Sequence, residues 1–435
     1  MKISLDDKRK RKVVYDILNI FYDDSNIEFT DRARASLHIL DDKIIFKNKS
    51  YPYKNNYQLK ANLYKIFEKE TDYDSPWGML TGSKPSKLLK NQSTSQIKDK
   101  YFVSDEKLDL LKDIEYEQDK LDFNKSDFNL YINIPFCPTR CKYCAYPTLV
   151  GINHNRSAYI DKLIYEIDNI DLPNSLDSVY IGGGTPTNIS VYVLNRLLNT
   201  INKRFTYREF TVEAGREDTL DRKKLDILRK NKVQRISLNP QSFNEDIIKS
   251  VGRSFDYDNF ISMYRYAKDL GFIINMDFIV GLVGESVETF AKNFEILEKL
   301  QPDNITFHAL ANKSGSKYRE ENKKGSIKDA LKISEGIKDF TKANDYKAYY
   351  LYRQKNIISN LENVGYQKDD TSQRYNIVIN EEIENVIGLG MNANTKLMNA
   401  KKYRNARNLR DYTENIDKLI SDKNKILSVY KGEIN

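Results

Sequence analysis

The sequence predicts an α/β fold in which a partial barrel of six β/α units lies between an N-terminal α/β domain and a mainly helical C-terminal extension. Two observations predict it. Between residues 130 and 310, six short apolar segments alternate with longer amphipathic segments, as expected for parallel strands joined by crossover helices. Glycines, carboxylates and cysteines follow the ends of those apolar segments, and barrels of this kind carry their chemistry at the carboxyl ends of their strands.

The predicted strands share a high apolar content and are bounded by turn residues. They are LYINIPF (130–136), SVYIGGG (178–184), FTVEAG (210–215), QRISLN (234–239), INMDFIVG (274–281) and NITFHAL (304–310). The helices between them include SAYIDKLIYEIDNI, VYVLNRLLNTINKRF, DRKKLDILRKN and VETFAKNFEILEKL, in which apolar residues recur at helical spacing.

We expect three domains, at residues 1–125, 126–325 and 326–435. In the first domain, SLHILDDKIIFKN is typical of two strands around a turn and NYQLKANLYKIFEKE of a helix, while Ser104 is a candidate N-cap for the next helix. In the last domain, helices surround one strand-like piece, ENVIGLGMNANTKL. We expect this extension to cover the open side of the barrel.

The composition excludes several classes of protein. Of 435 residues, 40% are hydrophobic and 30% are charged, which is typical of a globular chain rather than a disordered one. The net charge of +8 suits an anionic ligand without requiring nucleic acid, and we interpret the basic run KRKRK at 8–12 as a solvated approach to a helix. Neither a membrane-spanning run nor a secretory signal is apparent, so we expect a cytoplasmic protein without membrane contact.

All the cysteines of the chain, Cys137, Cys141 and Cys144, lie within FCPTRCKYCAYP. An odd number at such close spacing is a poor disulfide framework and a good site for a soft metal. An iron–sulfur cube normally takes four thiolates, so three would leave one iron open, as catalytic metal sites require. A zinc site completed by His154 is the alternative, but structural zinc usually binds two closely spaced ligand pairs. A redox pair would leave the third cysteine without a role.

The spacing of these cysteines, with Tyr143 directly before the last one, resembles the signature of radical S-adenosylmethionine (SAM) enzymes. The resemblance implies a [4Fe–4S] cluster whose open iron binds the methionine part of SAM, and reductive cleavage of SAM to start radical chemistry. The glycine cluster in YIGGGTPTNIS (180–190) follows the second predicted strand, where glycines allow a close approach of the backbone to a ligand. In this superfamily, Gly183, Gly184 and Thr185 would contact the amino and carboxylate groups of the methionine.

One family within the superfamily combines all the motifs. YINIPFCPTRCKYC, GGGTPT, VEAGRED, ISLNPQSFNEDIIKSVGR and MDFIVGL resemble the oxygen-independent coproporphyrinogen III oxidases, or HemN-like proteins. PWGMLTGSKPSKLL (76–89) and YYLYRQKNIISNLENVGY (349–366) resemble the HemZ-type coproporphyrinogen dehydrogenases of that family. The resemblance covers about residues 75–400.

Carried over by position, the resemblance implies that ten residues line the cofactor sites: Tyr131, Tyr143, Gly183, Gly184, Thr185, Glu213, Gln241, Arg253, Asp277 and Ala311. Physical arguments favour two of them independently. Glu213 is able to accept hydrogen bonds from a ribose hydroxyl or an ammonium group, although a solvated strand end would also explain it. Asp277 lies in an apolar run, where an unpaired buried charge is costly. Arg253 also fits a surface helix, and the tyrosines also fit an ordinary core.

The resemblance implies an oxidoreductase that converts propionate groups of coproporphyrinogen III to vinyl groups without oxygen. Candidate cations for the substrate carboxylates are Arg140, Arg216, Arg353, Lys84 and Lys87. We expect a porphyrinogen or haem-type small molecule as substrate, a reductant protein such as flavodoxin or ferredoxin, and a monomer. No residue is assigned as catalytic.

Two departures from the family pattern leave room for other functions. Asn133 stands where the family usually has histidine, and Ala145 and Tyr146 stand where its oxidases have a further cysteine. A haem chaperone or a haem-modifying radical SAM protein is therefore the alternative, because one fold supports several functions. His308 is predicted to face the cavity, more as a core residue than as a proton carrier. RNA modification is the least supported function, since only the basic N-terminus favours it.

Overall fold

The computed structural model describes residues 1–22, 26–82, 84–398 and 402–434. These residues divide into two compact units, Met1–Glu115 with Leu351–Asn363, and Tyr116–Tyr350 with Val364–Asn435. Ser83, within one of the family motifs, lies outside the described residues. The division into three domains at residues 125 and 325 stays a prediction.

The first unit contains a mixed five-stranded sheet in the order β2-β1-β3-β4-β5. Its strands are β1 (Lys2–Leu5), β2 (Glu28–Phe29), β3 (Leu37–Ile39), β4 (Lys43–Phe46) and β5 (Lys49–Pro52), and its helices are α1 (Arg11–Leu18), α2 (Asn56–Thr71), α3 (Ser86–Leu89) and α4 (Thr94–Tyr101). The predicted hairpin is confirmed, because β3 and β4 pair antiparallel around the turn at 41–42. Leu59, Leu63 and Phe67 of α2 are fully buried, which confirms the predicted amphipathic helix.

Helix α5 (Asp105–Asp119) follows these elements. The Ser104 hydroxyl accepts a hydrogen bond from the Lys107 N–H at 3.3 Å. This bond satisfies one of the free donors of the first helical turn, so the predicted N-cap is confirmed.

The remaining strands are β6 (Phe128–Ile134), β7 (Phe136–Cys137), β8 (Leu149–Val150), β9 (Ser175–Gly183), β10 (Thr206–Glu213), β11 (Arg235–Ser237), β12 (Ile273–Val280), β13 (Asn304–Ala309), β14 (Lys347–Tyr352), β15 (Asn363–Gln367), β16 (Asn385–Leu389), β17 (Asn394–Thr395) and β18 (Tyr403–Arg404). The remaining helices are α6 (Arg156–Asn169), α7 (Val191–Arg204), α8 (Arg222–Lys230), α9 (Glu245–Ser250), α10 (Tyr257–Asp269), α11 (Val287–Leu300), α12 (Lys317–Glu320), α13 (Ile327–Ala343), α14 (Arg374–Glu381), α15 (Leu409–Glu414) and α16 (Ile416–Ile434). All six predicted barrel strands are present.

Nine of these strands form one sheet in the order β14-β15-β13-β12-β11-β10-β9-β6-β16. Every pair from β16–β6 through β12–β13 is parallel, with helices in the connections. The predicted α/β fold with a partial barrel is therefore confirmed. Among the described residues the strand order ends at β14 and β16 and does not close on itself.

The C-terminal part contributes more strands than predicted. The strand-like piece contains β16, which pairs with β6 and so extends the sheet instead of covering its open side, while β14 and β15 were not predicted. The segment KAYYLY of β14 is buried at four consecutive positions. Such a strand shows no alternation of apolar and polar residues. The sequence pattern alone does not distinguish it from a buried segment of a helix.

One face of the sheet is polar, which is unusual for parallel strands buried on both sides. Along β6, the residues Leu130, Ile132 and Ile134 are fully buried, and they alternate with Asn129, Tyr131 and Asn133. Alternate side chains of a strand point to opposite faces. The polar face therefore lines the interior of the barrel.

Among the described residues, no helix is both long and apolar enough to cross a membrane.

Candidate metal centre and cofactor site

The three cysteines lie in a loop that follows β6. The loop is closed at its base, because β7 and β8 pair in parallel and the Leu149 N–H donates to the Pro135 carbonyl at 2.8 Å. All three thiols are half-buried. The cysteine loop therefore lies at the carboxyl end of the first barrel strand, as predicted, with its thiols reachable from solvent.

The surroundings of the thiols suit metal-bound sulfur. Burial raises the pKa of the Cys137 thiol, and the Thr185 hydroxyl, 3.6 Å from its sulfur, acts in the opposite direction. Burial likewise raises the pKa of the Cys144 thiol, while the Tyr146 N–H, 3.4 Å from its sulfur, lowers it. Donors to sulfur stabilise the thiolate that a cluster requires and are among the groups that set its potential.

The alternative zinc site gains no support from the geometry. Among the described residues, the one group of three histidine, cysteine or carboxylate ligand atoms within 4.8 Å of one another is that of Asp127, Asp177 and Glu384. The three sulfurs are thus spread more widely than ligands of a single ion. The ring of His154 lies against the ring of Phe136, with centroids 6.2 Å apart.

The glycines after β9 are required by the protein's own backbone. Gly183 has a φ of +121°, and a Cβ there would lie 2.2 Å from the Asn133 side chain. A Cβ on Gly184 would lie 2.8 Å from the Pro135 backbone. The missing side chains let this segment pack against the chain that enters the cysteine loop, which brings Thr185 to Cys137. The predicted contact of Gly183, Gly184 and Thr185 with the methionine part of SAM stays a prediction.

Two acidic residues lie on the polar interior face. Burial raises the pKa of Glu213 to about 7, while a hydrogen bond from the Tyr180 hydroxyl at 2.5 Å lowers it and the charge of Asp277 raises it. Asp277 accepts from the Asn275 amide at 2.8 Å, and His308 Nε2 lies 3.7 Å from its Oδ1. His308 therefore lies next to Asp277, and its predicted cavity-facing position stays a prediction.

Gln241 lies beside Asp277 in a strained conformation. Its φ of +66° falls in the left-handed region, which costs a residue other than glycine on the order of 1–3 kcal/mol. Two backbone bonds of 2.9 Å hold it there, from the Gln241 N–H to the Asp277 carbonyl and from the Ile279 N–H to the Gln241 carbonyl. The strain thus lies at one of the residues predicted to bind cofactor.

Arg253 is buried, and its two terminal nitrogens donate to the protein, whereas its Nε has no partner among the described residues. The terminal nitrogens bind the Asn239 carbonyl at 2.7 Å, the Gly215 carbonyl at 3.1 Å and the Glu217 carboxylate at 2.8 Å. The guanidinium therefore connects the segments that follow β10 and β11. This placement supports the shape of the site, and the predicted contact of Arg253 with the cofactor stays a prediction.

Two more predicted cofactor residues, Tyr143 and Ala311, follow the carboxyl ends of barrel strands. Tyr143 lies between two of the cysteines, and burial raises its pKa well above the ordinary value, with the neighbouring Cys141 acting in the same direction. Ala311 follows β13, where the preceding Leu310 N–H donates to the Val280 carbonyl at 2.9 Å.

Sequence reasoning missed a tyrosine stack on the interior face. Tyr180 and Tyr375 have ring centroids 4.4 Å apart, and Tyr131 stacks on both at 6.2 and 6.1 Å. Tyr180 lies on the same face of β9 as Gly182, two positions further on, and this spacing was a usable signal. Tyr375 had none, because tertiary contacts place α14 against the sheet. The Glu209 carboxylate accepts from the N–H groups of Tyr375 and its predecessor, and the Arg374 guanidinium binds the Asp177 carboxylate.

Tyr146 contacts the same stack through Tyr131. About half of its side chain is exposed, yet burial raises its pKa and a hydrogen bond with Tyr131 lowers it. Its backbone N–H donates to the Cys144 sulfur at 3.4 Å, so Tyr146 connects the cysteine loop to the tyrosine stack.

The structure corrects one predicted substrate cation. Arg353 is buried, and its nitrogens donate to the backbone carbonyls of Leu80, Asn360 and Leu361. Burial lowers the pKa of Arg353 to about 10. Its guanidinium stabilises the first unit, in which each of its three nitrogens donates to the protein.

The remaining candidate cations are spread over the chain. Arg216 is buried and binds the Asp218 carboxylate at 2.9 and 2.5 Å and the Thr139 hydroxyl at 3.1 Å. Arg140 is exposed and donates to the Gly315 carbonyl at 2.9 Å. Lys84 and Lys87 belong to the first unit.

Comparisons with known proteins agree with this architecture. Residues 131–297 match the Radical SAM superfamily. The chain is 34% identical over 395 residues to the oxygen-independent coproporphyrinogen-III oxidase-like protein HemZ of Bacillus subtilis (strain 168), which covers 83% of this chain and 79% of that protein. It is 29% identical over 228 residues to the heme chaperone HemW of Lactococcus lactis subsp. lactis, covering 50% of this chain and 60% of that protein.

Among solved structures, coproporphyrinogen III oxidase (HemN) of Escherichia coli superposes with a TM-score of 0.57 at 21% identity, covering 70% of this chain and 72% of that one. At this identity the likeness shows the fold. Radical SAM proteins use a [4Fe–4S] cluster together with SAM, and the closed loop of three thiols fits such a cluster. The chain therefore belongs to the radical SAM superfamily and, within it, to the family of HemZ-type oxygen-independent coproporphyrinogen-III oxidase-like proteins.

Proposed function

We propose that this protein is a coproporphyrinogen III dehydrogenase, which converts propionate side chains of coproporphyrinogen III to vinyl groups without oxygen. The observation that carries the proposal is the cysteine loop at the carboxyl end of the first barrel strand, together with a polar interior face that holds Glu213 and Asp277. It occurs in a chain that is 34% identical over most of its length to a coproporphyrinogen oxidase-like protein.

The cysteine loop would hold the cluster. Cys137, Cys141 and Cys144 supply three thiolates and leave one iron open for SAM. When bound, the cluster and SAM together supply the radical that removes a hydrogen atom from the substrate. The hydroxyl of Thr185 and the backbone N–H of Tyr146 donate to the sulfurs and hold them in position.

The interior face would hold SAM. Glu213, which is partly ionised near neutral pH because its pKa is about 7, is suited to accept hydrogen bonds from ribose hydroxyls or an ammonium group. Asp277 provides a second carboxylate near it, and the strained Gln241 lies at the same edge. The Tyr131, Tyr180 and Tyr375 stack offers a flat apolar wall for a planar ligand.

The proposed reaction balances for each propionate. The group –CH₂–CH₂–COO⁻ becomes –CH=CH₂ and carbon dioxide, and it releases one proton and two electrons. One electron leaves with the abstracted hydrogen atom, and the other passes to a one-electron acceptor. The protein orients the β-carbon of the propionate and excludes water from the site.

A second candidate function is that of a haem chaperone. The observation that favours it is the replacement of the further cysteine of the oxidases by Ala145 and Tyr146, together with the similarity to HemW chaperones. A chaperone would bind haem and release it unchanged. The two functions make opposite predictions for the fate of a bound porphyrin.

The test is an anaerobic incubation of the cluster-loaded protein with coproporphyrinogen III, SAM and a reductant, followed by mass spectrometry of the porphyrins. We expect products lighter by one carbon dioxide and two hydrogen atoms for each vinyl group formed, and none with Cys141→Ala. Formation of 5′-deoxyadenosine without any porphyrin change would keep the radical chemistry and reject this substrate. Retention of haem without turnover would favour the chaperone.

A further inference from the structure

The cysteine loop is surrounded by positive charge on its solvent side. Arg140, Lys313 and Lys317 are exposed, and Lys142 is half-buried. We call these four residues the basic rim. They belong to two segments that are joined by hydrogen bonds, from Arg140 to the Gly315 carbonyl at 2.9 Å and from the Tyr318 N–H to the Lys142 carbonyl at 3.0 Å.

The charges of the basic rim are not neutralised locally. Within the described residues, none of the four forms an ion pair with a carboxylate. Two acidic residues, Glu320 and Glu321, follow Lys317 closely in the chain, and Glu321 pairs with Lys323 at 3.0 Å. Lys323 is also the main cause of the lowered pKa of Glu321, to which Lys142 and Lys317 add.

The basic rim adjoins the thiols themselves. Burial raises the pKa of the Cys144 thiol, and the charges of Arg140 and Lys313 act against that effect, so both cations lie within electrostatic reach of its sulfur. Arg216, the buried cation near the other cysteines, is instead paired with Asp218. The uncompensated charge therefore lies on the outer side of a loop whose thiols are half-exposed.

We infer that the basic rim is the docking surface for an acidic one-electron carrier protein that reduces the cluster. This inference rests on the proposed function, because it requires a cluster on the three thiols. The carrier loses one electron and the cluster gains it, so no bond and no proton needs to move. Positive charge around a redox centre raises the encounter rate with an acidic partner and orients it, and salt weakens both effects.

The test measures reduction of the cluster without any porphyrin. The variant Lys313→Glu with Lys317→Glu is mixed anaerobically with a reduced, acidic flavodoxin, and the loss of cluster absorbance is followed by stopped flow. The matched control is Lys203→Glu with Lys230→Glu. These two exposed lysines lie in the last turns of α7 and α8, just before the following strands begin. They are therefore at the amino ends of the strands, opposite the cysteine loop.

At low salt, we expect the second-order rate constant of the rim variant to fall about tenfold or more, and that of the control to stay near wild type. The difference should shrink at about 0.5 M salt, where the Debye length is only a few ångströms. Reduction by photoreduced deazaflavin, a small molecule, should be unaffected. The milder variant Lys313→Gln with Lys317→Gln should give an intermediate rate. It keeps the test valid if the charge-reversal variant misfolds.

Equal rates for the rim and control variants at low salt would overturn the inference. So would an unchanged reduction rate combined with a raised KM for coproporphyrinogen, which would assign the rim to the substrate carboxylates. Because the readout needs no porphyrin, a protein that is reduced as expected but leaves coproporphyrinogen III unchanged would reject the proposed function and keep the docking surface.

Discussion

The hydrogen bond from Tyr180 to Glu213 offers a quantitative test of the cofactor site. At 2.5 Å, this is a charge-assisted bond to the ionised carboxylate, and such bonds contribute about 1.5–3 kcal/mol. Since about 1.36 kcal/mol corresponds to one pKa unit, Tyr180→Phe should raise the pKa of Glu213 by about 1–2 units. The starting pKa is about 7.

The direction of the effect on SAM binding follows from the charge state that binding requires of Glu213. If Glu213 accepts hydrogen bonds from SAM, the ionised form binds, and that form loses population as the pKa rises. At pH 7 the ionised fraction should fall from about one half to between about one tenth and one hundredth, which weakens SAM binding by about 5- to 50-fold. The loss should disappear at about pH 10, where both proteins are ionised.

The assay is anaerobic equilibrium dialysis of SAM between pH 6 and pH 10. Glu213→Gln should remove the titration altogether. Tyr165→Phe is the matched control, because it removes a bond of 2.9 Å to the exposed carboxylate of Asp417 and should leave the profile unchanged. A midpoint for Tyr180→Phe equal to or below that of the wild type would refute the reasoning, as would an unaltered pH profile for Glu213→Gln.

Three further predictions concern the cluster and its support. Cys141→Ala should reduce bound iron and sulfide to background while the circular dichroism stays native, and a full cluster in this variant would contradict the assignment of that thiolate. Arg216→Gln should shift the cluster midpoint potential to more negative values in an electron paramagnetic resonance titration, because a buried positive charge near the thiols stabilises the reduced cluster. Arg216→Lys should retain the wild-type potential. An unchanged potential in Arg216→Gln would contradict this role of the guanidinium charge. Lys423→Met should lower the free energy of unfolding by about 3–5 kcal/mol, because it leaves the carboxylate of Glu166 buried without its cation. Both residues are fully buried. In chemical denaturation, the double variant Lys423→Met with Glu166→Gln should recover most of the lost stability. A Lys423→Met variant as stable as wild type would show that the pair contributes little.

The sequence was sufficient for the order of strands and helices in the barrel. Alternation of short apolar segments with amphipathic ones is a local pattern, and each helix is long enough to show its period. The same reasoning failed for β14, because a short strand buried on both faces carries no periodic signal. It also missed the role of β16, because pairing with β6 joins residues 257 positions apart, as in Asn385 with Phe128.

The metal site was predictable for a similar reason. Cys137, Cys141 and Cys144 occupy one loop, so their spacing is visible in the chain. Arg353 shows the opposite case, since a basic residue in a family motif looked available for substrate. The structure uses its guanidinium to bind three backbone carbonyls, which no sequence pattern reports.

What the sequence determined by itself was the barrel, the cysteine loop and the positions of Glu213 and Asp277, because these depend on local periodicity and on residues that follow strand ends. Only the tertiary structure decided that Tyr131, Tyr180 and Tyr375 stack, that Arg216 and Arg253 are held by Asp218 and Glu217, and that the basic rim stays unpaired. Those outcomes depend on contacts between segments far apart in the chain, where small differences in distance determine whether a charge is neutralised or remains available to a partner.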